Sequence, residues 1–484
     1  MSTDTQQRAP GVPSEIDRDG LSDEQVARIA RGHVRRLAFI GALGGLLYGY
    51  DTGVISGTLI SIGQEFKIGN GTKELITSSI LVGAVVGAFF TSGISRRLGR
   101  RRTTLIVAAV FLIGVILAGI SIGPATLIGS RLFLGLAVGA STQVIPTYIA
   151  EMSPAKRRGR MVTLFNCAIG VGILSAALVN VVLTDVVSWR WMIMFAGAPA
   201  IVLLVGMLFL PESPRWLVSR GEVSRARRVL HWVRPSVREA DHELGQIQGL
   251  AKRTSGGGRS EWRTLGEKWV RPALIAGIGV AIFTQLTGLE MMIYYTPTIL
   301  TDAGFPHVFS LWANVGVGVV YLIMTFTGSR LVDRIGRRRL PLITLPGAAL
   351  SLAAFGVVLV VGGKHPQPVL TILLLLLFMF FQSGGIQVIG WLLESELYPL
   401  RVRATATSLQ ATFLWGSDLL VTVTALTLVD LLGLGGAMWV YAALNVIAWV
   451  FIFFRLPETK GRSLEEIEGS LHDGRFLPFA SQHR

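Results

Sequence analysis

The sequence predicts an all-α membrane protein in which twelve transmembrane helices form two six-helix, pseudo-symmetric bundles. Three observations support this fold class. Apolar runs of membrane-spanning length recur along the 484 residues, arginine clusters occupy alternate loops, and short motifs repeat between the two halves of the chain. With 51% hydrophobic residues and a mean hydropathy of +0.56, the chain is too apolar for an ordinary soluble protein.

Twelve apolar runs are long enough to cross a bilayer as helices. Their approximate bounds are 37–57, 75–94, 103–123, 126–150, 161–184, 191–210, 272–297, 310–329, 340–362, 368–393, 404–429 and 436–456. A polar, arginine-rich stretch separates the sixth run from the seventh. We therefore predict an N-terminal tail (1–34), a first bundle (35–210), a central loop with short helices (211–270), a second bundle (271–456) and a C-terminal tail (457–484).

Loop charge predicts the orientation of the chain in the membrane. Arginine-rich loops follow the second, fourth, eighth and tenth runs, whereas the alternate loops carry few basic residues. By the positive-inside rule these loops face the cytoplasm, together with the central loop and both termini. We read the net charge of +15 as a topology signal of a multi-pass protein in the lipid of the cell membrane, without a nucleic-acid partner. Residues 1–30 are polar and lack the apolar core of a cleavable signal, so we expect a disordered tail there.

Three motifs recur at nearly constant offset between the halves. They are residues 97–102 and 334–339, residues 151–154 and 396–399, and residues 211–214 and 457–460. Two halves that share one orientation can rock against each other around a central site, which is the architecture of an alternating-access carrier.

Asp51 is the single charged residue of the first run, 37–57. A carboxylate at mid-membrane depth costs about 2.5–3.5 kcal/mol on insertion scales, so a cation, a water-filled cavity or a bound proton must offset it. Asp51 is then either a buried polar residue that locks helices together or a titratable site on a transport pathway. The second interpretation fits an intramembrane acid better.

The chain resembles the sugar porter branch of the major facilitator superfamily over about residues 35–470. The motifs that carry this resemblance are GGLLYGYDTGVISG (44–57), RRLGRRR (96–102), YIAEMSPAKRRGR (148–160), PESPRWL (211–217), QLTG followed by YY.P (285–297), DRIGRRR (333–339), ELYP..VR (396–403) and PETKGRSLEEIE (457–468). The resemblance implies the major facilitator fold and alternating access.

The resemblance also implies how transport is coupled to protons. Asp51 matches the titrating aspartate of proton-coupled members, and Arg131 matches the arginine that pairs with it. An arginine keeps its charge at any relevant pH, and its proximity favours the carboxylate whereas burial favours the protonated acid. The alternative is that Arg131 is an anchor that extends to the membrane surface.

Positions that match the family's sugar site are spread over both halves. They are Tyr48, Asn166, Thr284, Gln285, Glu290, Tyr294, Tyr321, Gln387, Trp391, Trp415 and Asp418. Gln285, Tyr294, Trp391 and Trp415 keep the residue type that the family has, although helix packing or an interfacial belt would also account for the tryptophans.

Five positions of this set depart from the family. Glu290 and Asp418 replace asparagines, Thr284 and Asn166 replace glutamines, and Tyr321 replaces a smaller polar residue. The two extra acids can accept sugar hydroxyls strongly, favour a cationic substrate or add a proton site.

A second set of positions matches the family's salt-bridge latch on the cytoplasmic side, which holds the halves together when the cavity faces out and parts when it faces in. This cytoplasmic gate consists of Arg97, Arg100, Glu151, Arg158, Glu212, Arg215, Asp333, Arg337, Glu396, Arg403 and Glu458. Arg96 stands where the family often has an acid, so we expect the first-half loop to lack one partner.

The sequence thus favours a transporter that imports a sugar or polyol in symport with a proton. Alternatives are a uniporter, a proton-coupled carrier or an exporter of a cationic or other small polar metabolite, and a nutrient receptor that binds sugar without transporting it. We see no phosphate loop, zinc-ligand spacing or nucleophile elbow, and therefore expect no enzyme activity, cofactor or metal. The single cysteine, Cys167, excludes an internal disulfide. We predict a monomer.

Overall fold

The computed structural model describes residues 23–154, 158–254, 263–363, 366–399, 402–462 and 464–478. In this part of the chain every regular element is a helix. The first half and the central stretch contain α1 (Asp23–Phe66), α2 (Asn70–Leu98), α3 (Arg100–Gly119), α4 (Pro124–Met152), α5 (Arg158–Leu183), α6 (Trp189–Met194), α7 (Gly197–Leu208), α8 (Pro214–Ser219), α9 (Val223–Val233) and α10 (Val237–Thr254). The second half contains α11 (Arg271–Leu286), α12 (Leu289–Asp302), α13 (His307–Ile335), α14 (Arg339–Gly362), α15 (Pro368–Gly384), α16 (Ile386–Glu396), α17 (Arg403–Arg455) and α18 (Leu464–His472).

Eleven helices or helix pairs among the described residues are long and apolar enough to cross a membrane. The count is one below the predicted twelve because α17 contains the last two predicted runs, 404–429 and 436–456. The chain bends between them at Gly433, whose φ of 71° is outside the helical range. Each of the other ten predicted runs overlaps one membrane-spanning segment, so the predicted series of spans is confirmed.

Two predicted boundaries need comment. Helix α1 already begins at Asp23, so the predicted tail is helical over residues 23–34, and the expectation of disorder was wrong for residues 23–30. Val26, Ala30 and Val34 recur at helical spacing and are buried, which stabilises this extension. The short helices predicted for the central loop are present as α8, α9 and α10. The central loop also contains a serine–glycine stretch, residues 255–258, whose composition predicts a flexible joint, and it lies outside the described residues.

Several spans are broken near the middle of the bundle. Helices α11 and α12 are separated by Gly288, which is left-handed at φ +95° and packs against Tyr441. Helices α15 and α16 are separated by Gly385. Such breaks are tolerated inside a membrane where neighbouring helices satisfy the freed backbone groups. They bring irregular backbone and polar side chains to the centre of the second half.

The two halves meet mainly along three pairs of helices: α1 with α12, α2 with α17, and α5 with α13. Helix α4 also contacts α17. Within the first half, α1 packs closely on α5 because glycines recur every four residues along α1. A Cβ atom at Gly49 or Gly53 would collide with the backbone of α5 at Ile169 or Ile173. Small residues at such spacing allow membrane helices to approach closely. The outer surface carries many exposed leucine, isoleucine, valine and phenylalanine side chains, as expected of a surface that faces lipid.

Candidate functional site

Asp51 and Arg131 form a buried ion pair between α1 and α4. Arg131 Nη2 lies 3.4 Å from Asp51 Oδ2, and Nη1 lies 3.5 Å from Oδ1. The exposed fractions are 3% for Asp51 and 1% for Arg131, so neither side chain faces lipid or bulk water. The guanidinium is also held by the carbonyl oxygen of Ile76, which accepts a 2.9 Å hydrogen bond from Nε. Arg131 is therefore a fixed partner of Asp51 and does not extend to the membrane surface.

A cluster of polar and aromatic side chains lies next to this pair, where the two halves meet. Its buried members are Tyr48, Gln285, Glu290, Tyr294, Tyr321, Gln387, Trp415 and Asp418. The rings of Tyr48 and Trp415 pack edge-to-face across the two halves, with centroids 5.3 Å apart. Tyr48 also interacts electrostatically with Glu290, Tyr294 and Asp418. With Thr284, nine of the eleven predicted substrate positions are buried, and this contact and these interactions link five of them directly.

Many polar atoms of this cluster have no hydrogen-bond partner among the described residues. They are Gln285 Oε1 and Nε2, Glu290 Oε2, Gln387 Oε1, Trp415 Nε1 and Asp418 Oδ2. Buried polar groups in folded proteins are nearly always paired, because an unpaired group costs about 1–3 kcal/mol. A group of unpaired donors and acceptors at one place is typical of a site that binds a polar ligand.

Three other predicted substrate positions are less suited to bind a ligand. The hydroxyl of Thr284 already donates to the carbonyl oxygen of Val280 at 2.8 Å, and its side chain packs against Gly390. Asn166 and Trp391 are half-buried, and Trp391 packs against the apolar core.

Tyr294 connects the polar cluster to the ion pair. Its hydroxyl approaches Thr52, the residue after Asp51, and it interacts electrostatically with Asp51, Glu290 and Asp418. Because Tyr294 belongs to α12 and Asp51 to α1, this connection crosses between the halves. Tyr294 is therefore close both to Asp51 and to the two acids of the polar cluster.

Sequence reasoning missed several buried polar residues of the same region. Gln382 donates to the hydroxyl of Thr287, and Asn445 donates to the carbonyl oxygen of Thr287 at 3.0 Å. Gln382 Oε1 and Asn445 Oδ1 have no partner among the described residues. Gln382 and Asn445, like Gln285, are polar residues within apolar runs, and this contrast with their neighbours could have identified them from the sequence. Glu74, a buried acid in α2, was missed too.

The arginine-rich loops carry an ion-pair network in the first half. Glu151 pairs with Arg100 at 2.9 Å and accepts a hydrogen bond from Ser213. Glu212 accepts hydrogen bonds from the backbone amides of Arg100 at 2.8 Å and Arg101 at 3.1 Å, at the start of α3. Burial raises the pKa of Glu212, although its hydrogen bonds to backbone amides and the nearby Arg100 charge oppose that shift.

The second half repeats this network residue for residue. Glu396 pairs with Arg337 at 2.8 Å and accepts a 2.8 Å hydrogen bond from Thr459. Glu458 accepts hydrogen bonds from the backbone amides of Arg337 at 2.8 Å and Arg338 at 3.1 Å. Burial by itself lowers the pKa of Arg337, but Glu396 and Asp333 raise it above its ordinary value. The internal repeat of the sequence is therefore a repeat of contacts.

These networks show how the acids of the expected latch are placed in this conformation. Among the described residues, the hydrogen bonds and ion pairs of Glu151, Glu212, Glu396 and Glu458 stay within one half, and each acid lies beside the arginine loop of its own half. That these acids join the halves when the cavity faces out stays a prediction. Asp333 pairs with Arg337 at 3.0 Å, one helical turn away.

The other predicted gate residues play smaller parts. Arg403 donates to the carbonyl oxygen of Tyr398 at 2.9 Å. Arg97 and Arg215 are exposed and form no ion pair with the described residues. Arg158 begins α5, and its side chain lies outside the described part of the chain.

Side-chain hydrogen bonds join the halves at the end of the bundle opposite the arginine-rich loops. Asn70 Nδ2 in α2 donates to Asp430 Oδ1 in α17 at 3.0 Å. One turn further along α2, the carboxylate of Glu74 accepts two hydrogen bonds from Thr427. The bundle is therefore closed at this end. We call these four residues the far-end clasp. A longer hydrogen bond, from Ser408 Oγ to the carbonyl oxygen of Ala88 at 3.4 Å, joins the halves nearer the arginine-rich loops.

No three His, Cys, Asp or Glu side chains converge as metal ligands in the described segments. The central cluster has amide, hydroxyl, carboxyl and aromatic groups, which suit an organic, hydroxyl-bearing ligand.

Comparison with known proteins gives a consistent result. A sequence-family profile described as "Sugar (and other) transporter" matches residues 37–471. The chain is 39% identical over 435 residues to the probable metabolite transport protein CsbC of Bacillus subtilis (strain 168), covering 90% of this chain and 93% of CsbC. It is 37% identical over 436 residues to a D-xylose transporter of Levilactobacillus brevis, covering 90% of this chain and 94% of the relative.

A solved structure agrees with these relatives. The fold matches that of the proton:xylose symporter XylE of E. coli, bound to 6-bromo-6-deoxy-D-glucose, with a TM-score of 0.78 and 27% identity. The match covers 91% of this chain and 99% of the XylE chain.

Proposed function

Because this chain belongs to the sugar porter family of the major facilitator superfamily, we propose that it imports a sugar or polyol together with a proton, by alternating access to one central site. The observation that carries this function is the group of unpaired, buried polar atoms between the halves, beside the Asp51–Arg131 pair. Related proteins named as xylose, glucose and galactose transporters support the substrate class.

The site has the chemistry that a sugar requires. The amide of Gln285 offers one acceptor and two donors, and the indole N–H of Trp415 offers a further donor. The rings of Tyr48, Tyr294 and Trp415 provide apolar faces for the C–H side of a sugar ring. A sugar would pair the atoms that the protein leaves unpaired and contact both halves at once.

Proton coupling rests on the pair of Asp51 and Arg131. Neutralising Asp51 removes its attraction for Arg131 and changes the electrostatic environment of Tyr294, which belongs to the other half. Substrate binding and protonation then favour the same rearrangement. Each proton that moves down the membrane potential contributes about 2.3 kcal/mol per 100 mV to accumulation.

The conformation fits one stage of the alternating-access cycle. With the arginine-rich loops in the cytoplasm, the far-end clasp faces the outside and the outer side is closed. The ion-pair networks at the cytoplasmic end stay within each half, as expected when the inner side is free to open. In this orientation both termini are cytoplasmic, and we place the protein in the cell membrane as a monomer.

Uptake into proteoliposomes tests the proposal. An imposed inward proton gradient should accelerate the entry of a labelled sugar and concentrate it, and panels of pentoses, hexoses and inositols identify the substrate. Sugar entry that ignores the gradient would instead establish a uniporter. The buried acids Glu290 and Asp418 favour a second candidate, the carriage of a cationic metabolite, which the same assay detects with labelled amines.

A further inference from the structure

Glu290 and Asp418 are two buried carboxyl groups at one place without a basic partner. The exposed fraction is 2% for Glu290 and zero for Asp418. They interact electrostatically with each other, and neither forms an ion pair with any described residue. Thr422 donates to Asp418 Oδ1 at 3.1 Å, but Asp418 Oδ2 and Glu290 Oε2 have no partner there. Two uncompensated carboxylates at such depth are strongly unfavourable, so the pair must bind a proton or another cation.

The surroundings of the pair favour a cation as ligand. Tyr294 is one helical turn from Glu290 on α12, and Trp415 is one turn from Asp418 on α17, so each acid shares a helix face with an aromatic ring. Tyr48 packs against Trp415 and interacts with both acids. Aromatic faces attract cations, and an ammonium group carries three donors that match free carboxylate oxygens.

A second observation favours a ligand at this place. Both polar atoms of the Gln285 side chain and the indole nitrogen of Trp415 are fully buried and unpartnered among the described residues. Gln285 and Glu290 lie on either side of the helix break at Gly288, and Trp415 precedes Asp418 on the same face of α17. Uncharged hydrogen-bonding groups therefore border the acids, as needed for a ligand with both hydroxyl and ammonium groups.

We propose that Glu290 and Asp418 form an ammonium subsite within the sugar site, so that the protein takes sugars bearing a protonated amino group. This inference rests on the proposed sugar transport and specifies its substrate class. The carboxyl oxygens accept hydrogen bonds from the ammonium group, while Gln285 and Trp415 bind hydroxyls of the ring. No covalent step is involved.

A comparison of uptake between matched neutral and amino sugars tests the subsite. D-glucosamine and D-galactosamine differ from D-glucose and D-galactose by one ammonium group in place of a hydroxyl. Uptake is measured with purified wild-type protein in proteoliposomes, at a pH at which the amines are protonated. We expect at least one amino sugar to half-saturate uptake at about a tenfold lower concentration than its neutral counterpart. This ratio is that expected for a hydrogen bond to a charged group.

Variants separate the subsite from general damage to the protein. The double variant Glu290→Gln with Asp418→Asn should bring the ratio for the two sugars of a pair close to one. Asp185→Asn, at an exposed acid of the same chain, should leave the ratio unchanged. If the double variant does not fold, the single variant Asp418→Asn should still reduce the ratio of the half-saturating concentrations. The comparison of the sugars in the wild-type protein needs no variant.

The possible outcomes distinguish failure of the ammonium subsite from failure of the proposed sugar transport. If neutral sugars are taken up and neither amino sugar is preferred, the acids hold only a shared proton and the ammonium subsite is wrong, while sugar transport stands. A preference that persists in the double variant also contradicts it. If no member of either pair enters the vesicles, both the subsite and the proposed function fail for these sugars.

Discussion

The carboxylate of Glu74 joins the two halves of the protein through Thr427. Glu74 Oε1 accepts the backbone amide hydrogen of Thr427 and Oε2 accepts its hydroxyl hydrogen, each at 2.7 Å, between residues 353 positions apart. The side chain of Glu74 is 3% exposed, so this contact is shielded from water. A charged acceptor strengthens both hydrogen bonds, and the contact must break before the bundle can open at this end.

Replacing Glu74 should therefore destabilise the conformation that is closed at the far end. We expect Glu74→Ala to shift the open-to-closed ratio by about tenfold or more, because hydrogen bonds to charged groups contribute about 1.5–3 kcal/mol. Spin labels at Gly71→Cys and Leu431→Cys, both exposed, report the distance across this end in a Cys167→Ser background.

A matched control is available at the same end of the molecule. Glu65 pairs with Arg190 at 2.8 Å within the first half, so Glu65→Ala should leave the label distances unchanged. Equal distance distributions in Glu74→Ala and the parent protein would show that the clasp does not hold this end closed.

Asp51→Asn should uncouple transport from protons. The amide keeps the shape of the carboxylate but cannot gain or lose a proton, so the variant should exchange labelled substrate across the membrane yet fail to concentrate it. Counterflow and gradient-driven uptake in proteoliposomes measure the two activities separately. Asp185→Asn serves as the control, since its carboxylate is exposed. Accumulation by Asp51→Asn at the parental level would remove Asp51 from the coupling mechanism.

The repeated turns before α3 and α14 should tolerate no side chain. Gly99 has φ +93° and Gly336 has φ +111°, and a Cβ atom at either position would collide with the carboxylate of Glu212 or Glu458. We expect Gly99→Ala and Gly336→Ala each to destabilise the protein by about 1–3 kcal/mol, a typical cost of such backbone strain.

Thermal unfolding in detergent measures this effect. Gly416 lies inside α17 with open space around its Cβ position, so Gly416→Ala should cause no loss of stability. Unchanged unfolding temperatures for the Gly99 and Gly336 variants would contradict the role assigned to the two turns.

Trp415 should contribute directly to substrate binding. Its ring contacts Tyr48 across the halves, and its indole nitrogen has no partner among the described residues. Trp415→Ala should weaken sugar binding by about tenfold or more, because it removes both an aromatic face and a donor. Equilibrium binding of the transported sugar gives the affinity. The control Trp191→Phe, at a position that is 57% exposed on the outer surface, should bind the sugar as the parent protein does. Equal affinities for the parent, Trp415→Ala and Trp191→Phe would exclude Trp415 from the site.

Much of the fold was predictable because hydropathy is a local property of the chain. The apolar runs, the central stretch and the internal repeat were read from composition and spacing, and the structure contains the corresponding helices. The extension of α1 back to Asp23 was missed because its apolar stripe is short and lies among charged residues. The last two predicted runs are two helical segments of α17 that meet at a kink, because the backbone leaves helical geometry at Gly433.

The candidate site was predictable where a residue is unusual for its surroundings or matches a family motif. Asp51, Gln285 and Asp418 are polar residues in apolar runs, and all three are buried. Thr284 was chosen by position alone, and its hydroxyl is satisfied within its own helix. Glu74 was overlooked because it lies near the predicted end of a run, where an acid suggests nothing more than a solvated helix terminus.

The sequence by itself determined that this protein crosses the membrane in two related halves and carries acids at membrane depth. The cost of burying polar groups in lipid acts on each segment separately, so the local sequence of each segment is enough to predict those properties. Only the tertiary structure decided which groups meet across the halves: Glu74 with Thr427, Tyr48 with Trp415, and each arginine loop with the acids of its own half. Such contacts depend on how rigid helices are placed relative to one another, and residues hundreds of positions apart leave no local signal of that placement.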